Sequence, residues 1–218
     1  MKKALIIANG DVPEKNKIEY LQRIGYRKII CADGGANSAR KLNIIPDAII
    51  GDLDSISEEN KKYFIDKTKI IHYARQDDTD VEKSIKYLIK KKYKKIILLG
   101  ATGNRLDHTF CNIAIVMKYF KKINIFILHK KSFLIGYNDD VTLKTKKGEP
   151  FSVYAFSKKT KIKSKGLKYP LKNFPLVFGE RDSTSNEAVG SEVKLKINNG
   201  IILVIRSYKT MRDNGFIY

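Results

Sequence analysis

The residues of this chain with the most chemical potential are acids, and they recur at one kind of place. "PDAIIGDLDSIS", residues 46–57, carries an apolar stretch, Ala48-Ile49-Ile50, into Gly51 and then delivers Asp52 and Asp54 around one leucine. "CADGG" puts Asp33 directly after the apolar run 28–32. "QDDTDVEK" puts Asp77, Asp78 and Asp80 after the run 69–73, at the mouth of a helical pattern. "GATGNRLDH" follows the run 95–99 with Gly100 and Gly103, then Arg105, Asp107 and His108. Clustered carboxylates raise one another's pKa unless a cation sits among them. Magnesium suits such a cluster, because it takes one or two carboxylates together with waters and phosphate oxygens. Gly34, Gly35, Gly51, Gly100 and Gly103 let backbone N–H groups come close to an anion. Arg105 has the fork to clamp phosphate oxygens, and Lys83 offers a point charge. Lys83 follows Asp80 by three residues, so one helix start presents both an acid and a base on one face.

The elements that must hold these residues follow from periodicity. Apolar β-type runs occur at 4–8, 28–32, 47–50, 69–73, 95–99 and 123–128, with helical patterns between them. In "TDVEKSIKYLIKKK", Val81, Ile85, Leu88 and Ile89 share a face. "DHTFCNIAIVMKYF" is a second such pattern. Alternating strands and helices define an α/β class with a mostly parallel sheet covered on both faces, over residues 1–135. Ligands bind such a sheet at the carboxyl ends of its strands. All four acidic stations fall on that edge, whereas the amino ends carry Lys2-Lys3, Lys28 and Lys94-Lys95. The pattern changes near 130–145, after which short runs such as "FSVYAFS", "EVKLKI" and "GIILVI" alternate with turn signals. A small antiparallel β-domain without helices is expected over 140–218. Within it "INNGII", 197–202, reads as a hairpin with Asn-Gly at its turn.

Each station taken alone has a structural explanation. Asp after a strand is commonly a turn or cap residue. Thr79 with Glu82 forms a capping box, Ser55 is placed to cap the helix "SISEENKKYF", and Asp107 is placed to cap the helix after it. Asn37 and Arg40 read as helix surface, His72 and His129 as packing or surface residues, and His108 as a positioning group. Four stations on one edge are not explained this way.

Composition sets the outer bounds. A chain of 218 residues with 43% hydrophobic and 30% charged residues is long enough to bury a sizeable core and reads as globular. No apolar run approaches the roughly 20 residues a bilayer requires, which excludes a spanning helix. The start, "MKKALIIANG", is too short in its apolar stretch for a signal peptide and reads as a first strand of a cytoplasmic protein. Cys31 and Cys111 fit no metal spacing and read as free thiols. The net charge of +20 raises nucleic-acid binding as a class. The lysines are spread along the whole chain, and no nucleic-acid motif accompanies the densest run, "KKKYKK" at 90–95, so no nucleic-acid partner is expected.

"DGG", "GDLDS", "QDDTDVEKS" and "GATGNRLDH", in this order and spacing, resemble the thiamine pyrophosphokinase family. "STSNEAVG" followed by "VKLKINNGIILVI" resembles that family's C-terminal Ser-Asn segment and closing hairpin. The resemblance covers essentially the whole chain. It implies a Rossmann-like α/β domain that binds ATP and magnesium, a β-sandwich domain that helps form a thiamine pocket, and a homodimer with active sites at its interface. It implies transfer of the pyrophosphoryl group of ATP to thiamine. Carried over, Asp33, Asp52, Asp54 and Asp80 hold the magnesium. Asp52, Asp54, Asp80 and Lys83 are catalytic. Asp33, Gly34, Gly35, Gly100, Gly103, Arg105, Asp107 and His108 bind ATP. Gln76, Asp77, Ser185 and Asn186 contact thiamine, the last two from the partner subunit. Ala188 departs from the family, whose bacterial members often carry Phe after Ser-Asn-Glu. Three rivals make different predictions: a magnesium-dependent phosphatase using Asp52 as nucleophile, a diphosphokinase acting on another alcohol such as a pterin, and a basic nucleic-acid-binding module.

Overall fold

The computed structural model describes residues 1–74, 77–103 and 105–214. It divides into two compact units, Met1–Lys130 and Lys131–Tyr218. The division falls ahead of residue 135, so the strand at 132–137 belongs whole to the second unit. Among the described residues no helix is long and apolar enough to cross a membrane.

Runs of isoleucine and leucine without polar alternation need cover on both faces, as strands of a parallel sheet do. All six apolar runs of the first unit become strands of one parallel sheet, the edge strand β4 only partly covered: β1 (Lys3–Ile7), β2 (Lys28–Ala32), β3 (Ala48–Gly51), β4 (Lys69–His72), β5 (Lys95–Leu99) and β6 (Asn124–His129). In β1, β2 and β5 the leading lysine alone reaches solvent, and β3 is buried throughout. The strands pair in parallel in the order β6-β5-β1-β2-β3-β4. The chain builds outward from β1 to β4, then returns to lay β5 on the other side of β1. That reversal creates a switch point between the carboxyl ends of β1 and β5.

The intervening helices are α1 (Lys15–Arg23), α2 (Gly35–Lys41), α3 (Glu58–Phe64), α4 (Asp80–Lys90) and α5 (Leu106–Lys118). Thr79 caps α4 by accepting from the Glu82 N–H at 3.3 Å. The reciprocal half of the expected capping box is absent. The Glu82 carboxylate instead accepts from the Tyr119 hydroxyl and from Lys118 Nζ, each at 2.5 Å. Two expected caps move. Ser57, not Ser55, caps α3: its Oγ accepts from the Asn60 N–H at 3.3 Å, while the Ser55 hydroxyl turns to Asp54. Asp107 lies in the first turn of α5, whose N-cap is Arg105.

The second unit is a two-layer antiparallel structure. One layer is β12 (Ser183–Glu187), β9 (Pro150–Ala155), β14 (Ile202–Ser207) and β7 (Ser132–Tyr137), in that order. The other is β11 (Lys172–Pro175), β10 (Lys161–Lys165), β13 (Glu192–Asn198) and β8 (Val141–Lys144). Strict alternation in β10 and β13 aims Ile162, Val193, Leu195 and Ile197 at Phe151, Val153, Ile202 and Val204 of the facing layer. The Asn199-Gly200 turn does not close a hairpin. Strand β13 is already flanked by β10 and β8, and β14 pairs with β7 and β9, so the turn carries the chain from one layer to the other. A short helix, α6 (Tyr208–Asp213), follows β14 where none was expected. Ser207 caps it, and Tyr208 and Met211 bury one side, a pattern too brief for periodicity to register. Between the layers lies an ion pair, Arg206 with Glu149 at 3.0 Å through both Nε and Nη2, with both side chains 1% exposed.

Candidate active site

Three of the four acidic stations converge. Asp33 follows β2, Asp52 follows β3, and Asp80 opens α4; one carboxylate oxygen from each lies within 4.8 Å of the others. Gly51 makes this approach possible. A Cβ at Gly51 would stand 2.7 Å from Asp33 Cβ and 3.0 Å from Asp80 Cγ, so any side chain there would enter the space between two of the acids.

Asp33 is 1% exposed, and its backbone sits in the left-handed region at φ 37°. Its carboxylate accepts from the N–H groups of Ser55 (2.9 Å) and Ile56 (3.1 Å). Burial pushes its pKa up to about 6. The two N–H donors act against that rise, and neighbouring Asp54 and Asp80 add to it. Asp54 itself is exposed and lies outside the gathered three, with Ser55 Oγ donating to it at 2.8 Å. Between Asp52 and Asp54, Leu53 adopts φ 68°, an unusual state for a branched apolar residue. Lys83, nearly buried, donates to Asp80 Oδ1 at 2.8 Å, as the three-residue spacing requires.

Beside the acids, at the switch point, is a hollow of about 120 Å³. Its lining includes Asn9 and Gly10 after β1, Asp33 and Gly34 after β2, Asp80, Gly100 and Thr102 after β5, and Arg105, His108 and Asn112 of the α5 segment. Gly35 does not line it. A Cβ there would fall 2.0 Å from the Ile7 carbonyl oxygen, so this glycine serves the packing of α2 on β1. Gly103 faces the Asp11 side chain instead. Arg105 and Asp107 pair at 2.5 Å on the exposed rim, and the guanidinium holds the Asp107 carboxyl down at about 2. Asn9, Gly10, Thr102 and Asn112 were not singled out in the sequence. "ANGD" after the first strand was the available signal for the first two. Asn112 appears only once α5 is docked, its side chain donating to the Ala101 carbonyl at 2.8 Å.

In the second unit, β12 bulges against β9 between Ser183 and Asn186. Ser185, in the bulge, has φ 55° and an exposed side chain. Asn186 is 2% exposed and fully engaged: Nδ2 donates to Tyr169 O and Ser183 Oγ, and Oδ1 accepts from the N–H groups of Tyr169 and Glu187. Ala188 is fully buried in the core between the layers. Asp77 is exposed ahead of α4, and Gln76 lies outside the described residues.

A switch-point hollow edged by glycine and basic residues, with carboxylates gathered beside it, defines a Rossmann-like phosphotransferase class of site. Residues 24–127 match the family model for the thiamin pyrophosphokinase catalytic domain, and residues 140–202 match that for the thiamin pyrophosphokinase vitamin B1 binding domain. The chain belongs to the thiamin pyrophosphokinase family. It is 29% identical to thiamin pyrophosphokinase 1 of Caenorhabditis elegans over 191 residues, covering 81% of this chain and 77% of that one. It is 29% identical to the thiamine pyrophosphokinase of Bacillus subtilis over 185 residues, covering 82% and 86%. The crystal structure of the B. subtilis enzyme superimposes with a TM-score of 0.82 at 26% identity, covering 94% of this chain and 99% of that one. The Candida albicans thiamin pyrophosphokinase shares the fold, with a TM-score of 0.83 at 22% identity over 94% and 89% of the two chains.

Proposed function

We propose that this enzyme transfers the pyrophosphoryl group of ATP to the hydroxyl of thiamine, giving thiamine diphosphate and AMP. The observation that carries this reading is the gathering of Asp33, Asp52 and Asp80 beside the switch-point hollow, in a chain of this family. The thiamine hydroxyl oxygen attacks the β-phosphorus, the bond from that phosphorus to the α,β-bridging oxygen breaks, and AMP leaves with that oxygen. A carboxylate of the 52–54 or 77–80 segment takes the hydroxyl proton. The remaining work is positioning and charge neutralisation. Arg105 and the N–H groups near Gly34 and Gly100 orient phosphate oxygens, with His108 and Asp107 beside them. Lys83 holds Asp80 and adds a positive charge at the reacting end.

The acids fit magnesium. They are all-oxygen donors, and they leave a space that a Cβ at Gly51 would fill. Asp33, Asp52 and Asp80 would hold the ion, with Asp54 adjacent, and its chemistry there is neutralisation of developing charge on phosphate oxygens. Ser185, in its strained bulge, is the second unit's contact for thiamine, with Gln76 and Asp77 contributing from the first. The saturated Asn186 shapes the strand around it. We assign the enzyme to the cytoplasm, in keeping with its two free cysteines. We assign it a homodimeric state in which Ser185 and Asn186 serve the partner's site.

The test is AMP release from ATP and magnesium with and without thiamine. Thiamine-dependent release that disappears in Asp54→Ala and survives in Asp66→Ala, an exposed residue beyond α3, supports the reading. Release that needs another alcohol overturns the substrate assignment. Hydrolysis of phosphate esters without any AMP overturns the reaction class.

A further inference from the structure

The segment Ser55–Ser57 runs into the cap of α3, and two side chains four residues apart hold its backbone from the side of α2. Asp33 accepts from the N–H groups of Ser55 and Ile56. Asn37, in the first turns of α2, takes the next two backbone groups. Its Nδ2 donates to the Ser55 carbonyl at 2.9 Å, and its Oδ1 accepts from the Ser57 N–H at 3.1 Å. Asn60 Nδ2 donates to the same Oδ1 at 2.8 Å, tying α3 into the arrangement. Immediately before this segment come Asp52, the left-handed Leu53 and Asp54. A strained turn persists when its surroundings over-determine it, and Asn37 supplies half of the anchors at its downstream end. The other half come from Asp33, itself one of the gathered acids.

We infer that Asn37 is a positioning residue for the cation site: its carboxamide fixes the Ser55–Ser57 backbone so that Asp52 is delivered toward Asp33 and Asp80. This rests on the proposed reading of those acids as magnesium ligands. Without Asn37 the Ser55 carbonyl and the Ser57 N–H lose their side-chain partner, while the N–H groups of Ser55 and Ile56 still rest on Asp33, which cannot adjust to a cation without dragging the turn with it. Losses at groups that orient metal ligands typically weaken metal affinity or activity about 10- to 100-fold.

The test is manganese binding by electron paramagnetic resonance, with manganese as the probe, on wild-type, Asn37→Ala, Asp52→Ala and Ile18→Val proteins. Ile18 is fully buried on α1, no residue of which lines the hollow, so Ile18→Val serves as a control that lowers thermal stability alone. Expected are manganese binding weakened about tenfold or more in Asn37→Ala, a matching rise in the magnesium needed for half-maximal AMP release, and a KM for thiamine changed by less than about twofold. Ile18→Val should bind manganese as wild type does. Asn37→Asp keeps the acceptor but loses the donor to the Ser55 carbonyl, and should fall between wild type and Asn37→Ala. Wild-type binding that is lost in Asp52→Ala but unchanged in Asn37→Ala overturns the inference alone. Equal weakening in Asn37→Ala and Ile18→Val also overturns it. A wild-type protein that binds no manganese overturns the cation reading and this inference together.

Discussion

Gly51 shows how a residue with no side chain serves a charged site. Its φ lies outside the left-handed region, so alanine meets no backbone obstacle there. The obstacle is the added methyl, 2.7 Å from Asp33 Cβ. Gly51→Ala should keep the far-ultraviolet circular dichroism of the wild type while thiamine-dependent AMP release falls on the order of 100-fold, the scale of a lost electrostatic group. Asp33 carries a pH signature. Its pKa is raised in the folded state, so between the ordinary carboxylate value and about 6 the folded protein binds a proton that the unfolded chain has released. For this group, stability in the absence of a cation is greatest below that window and is lost as pH rises through it. A cation must displace the proton, so its binding strengthens in the same direction. The increase in Tm produced by magnesium should therefore be larger at pH 7 than at pH 5; an equal or reversed difference would contradict this account of Asp33.

At the scale of elements, α4 and α5 carry Asp80 with Lys83 and Arg105 with His108, and one contact fixes them to each other. Glu82 at the start of α4 accepts from Tyr119 and Lys118 at the end of α5. Tyr119→Phe removes one donor to a nearly buried carboxylate and should lower stability by about 1–3 kcal/mol in urea denaturation. A sequence-level capping box misses this contact, because the box pairs Glu82 with its own helix start, three residues back. The structure pairs it with residues 36 and 37 positions away. Asn37 likewise reads as helix surface in the sequence, since its partners at 55, 57 and 60 lie across a strand crossover. In the second unit, Glu149→Ala would leave Arg206 charged and buried without its partner. A loss of about 3–5 kcal/mol is expected on chemical denaturation, the cost of breaking a buried ion pair from one side.

For the whole molecule, the proposed dimer makes its own prediction. If Ser185 serves the partner's site, Asp52→Ala and Ser185→Ala damage different halves of each site. Co-expressed, the two inactive variants form mixed dimers in which one site carries both lesions and the other carries none. Roughly a quarter of wild-type activity should then return, because about half of the randomly assorted symmetric dimers are mixed and each has one intact site. No recovery, with mixed dimers demonstrated by differential tagging, would place each active site within a single chain.

The features legible in the chain alone are local. Runs such as Ala48-Ile49-Ile50 became strands because an unbroken apolar stretch between turn residues can be satisfied only inside a covered sheet. Asp33 and Asp52 reached the carboxyl edge because each follows its strand directly, and Asp80 because it opens the helix that leaves that edge. Thr79 capped α4, and Lys83 met Asp80, because three residues is nearly one helical turn. The tertiary structure decided what is non-local. Strand order placed β5 beside β1 and opened the hollow between their ends. It chose three acids out of several to stand together, buried Asp33 under Ser55 and Ile56, and filled every bonding position of Asn186. It also sent Asn199-Gly200 across two layers, where turn chemistry alone predicts a hairpin. Turn residues set how a chain bends, but which strand lies alongside next depends on which edges are already occupied.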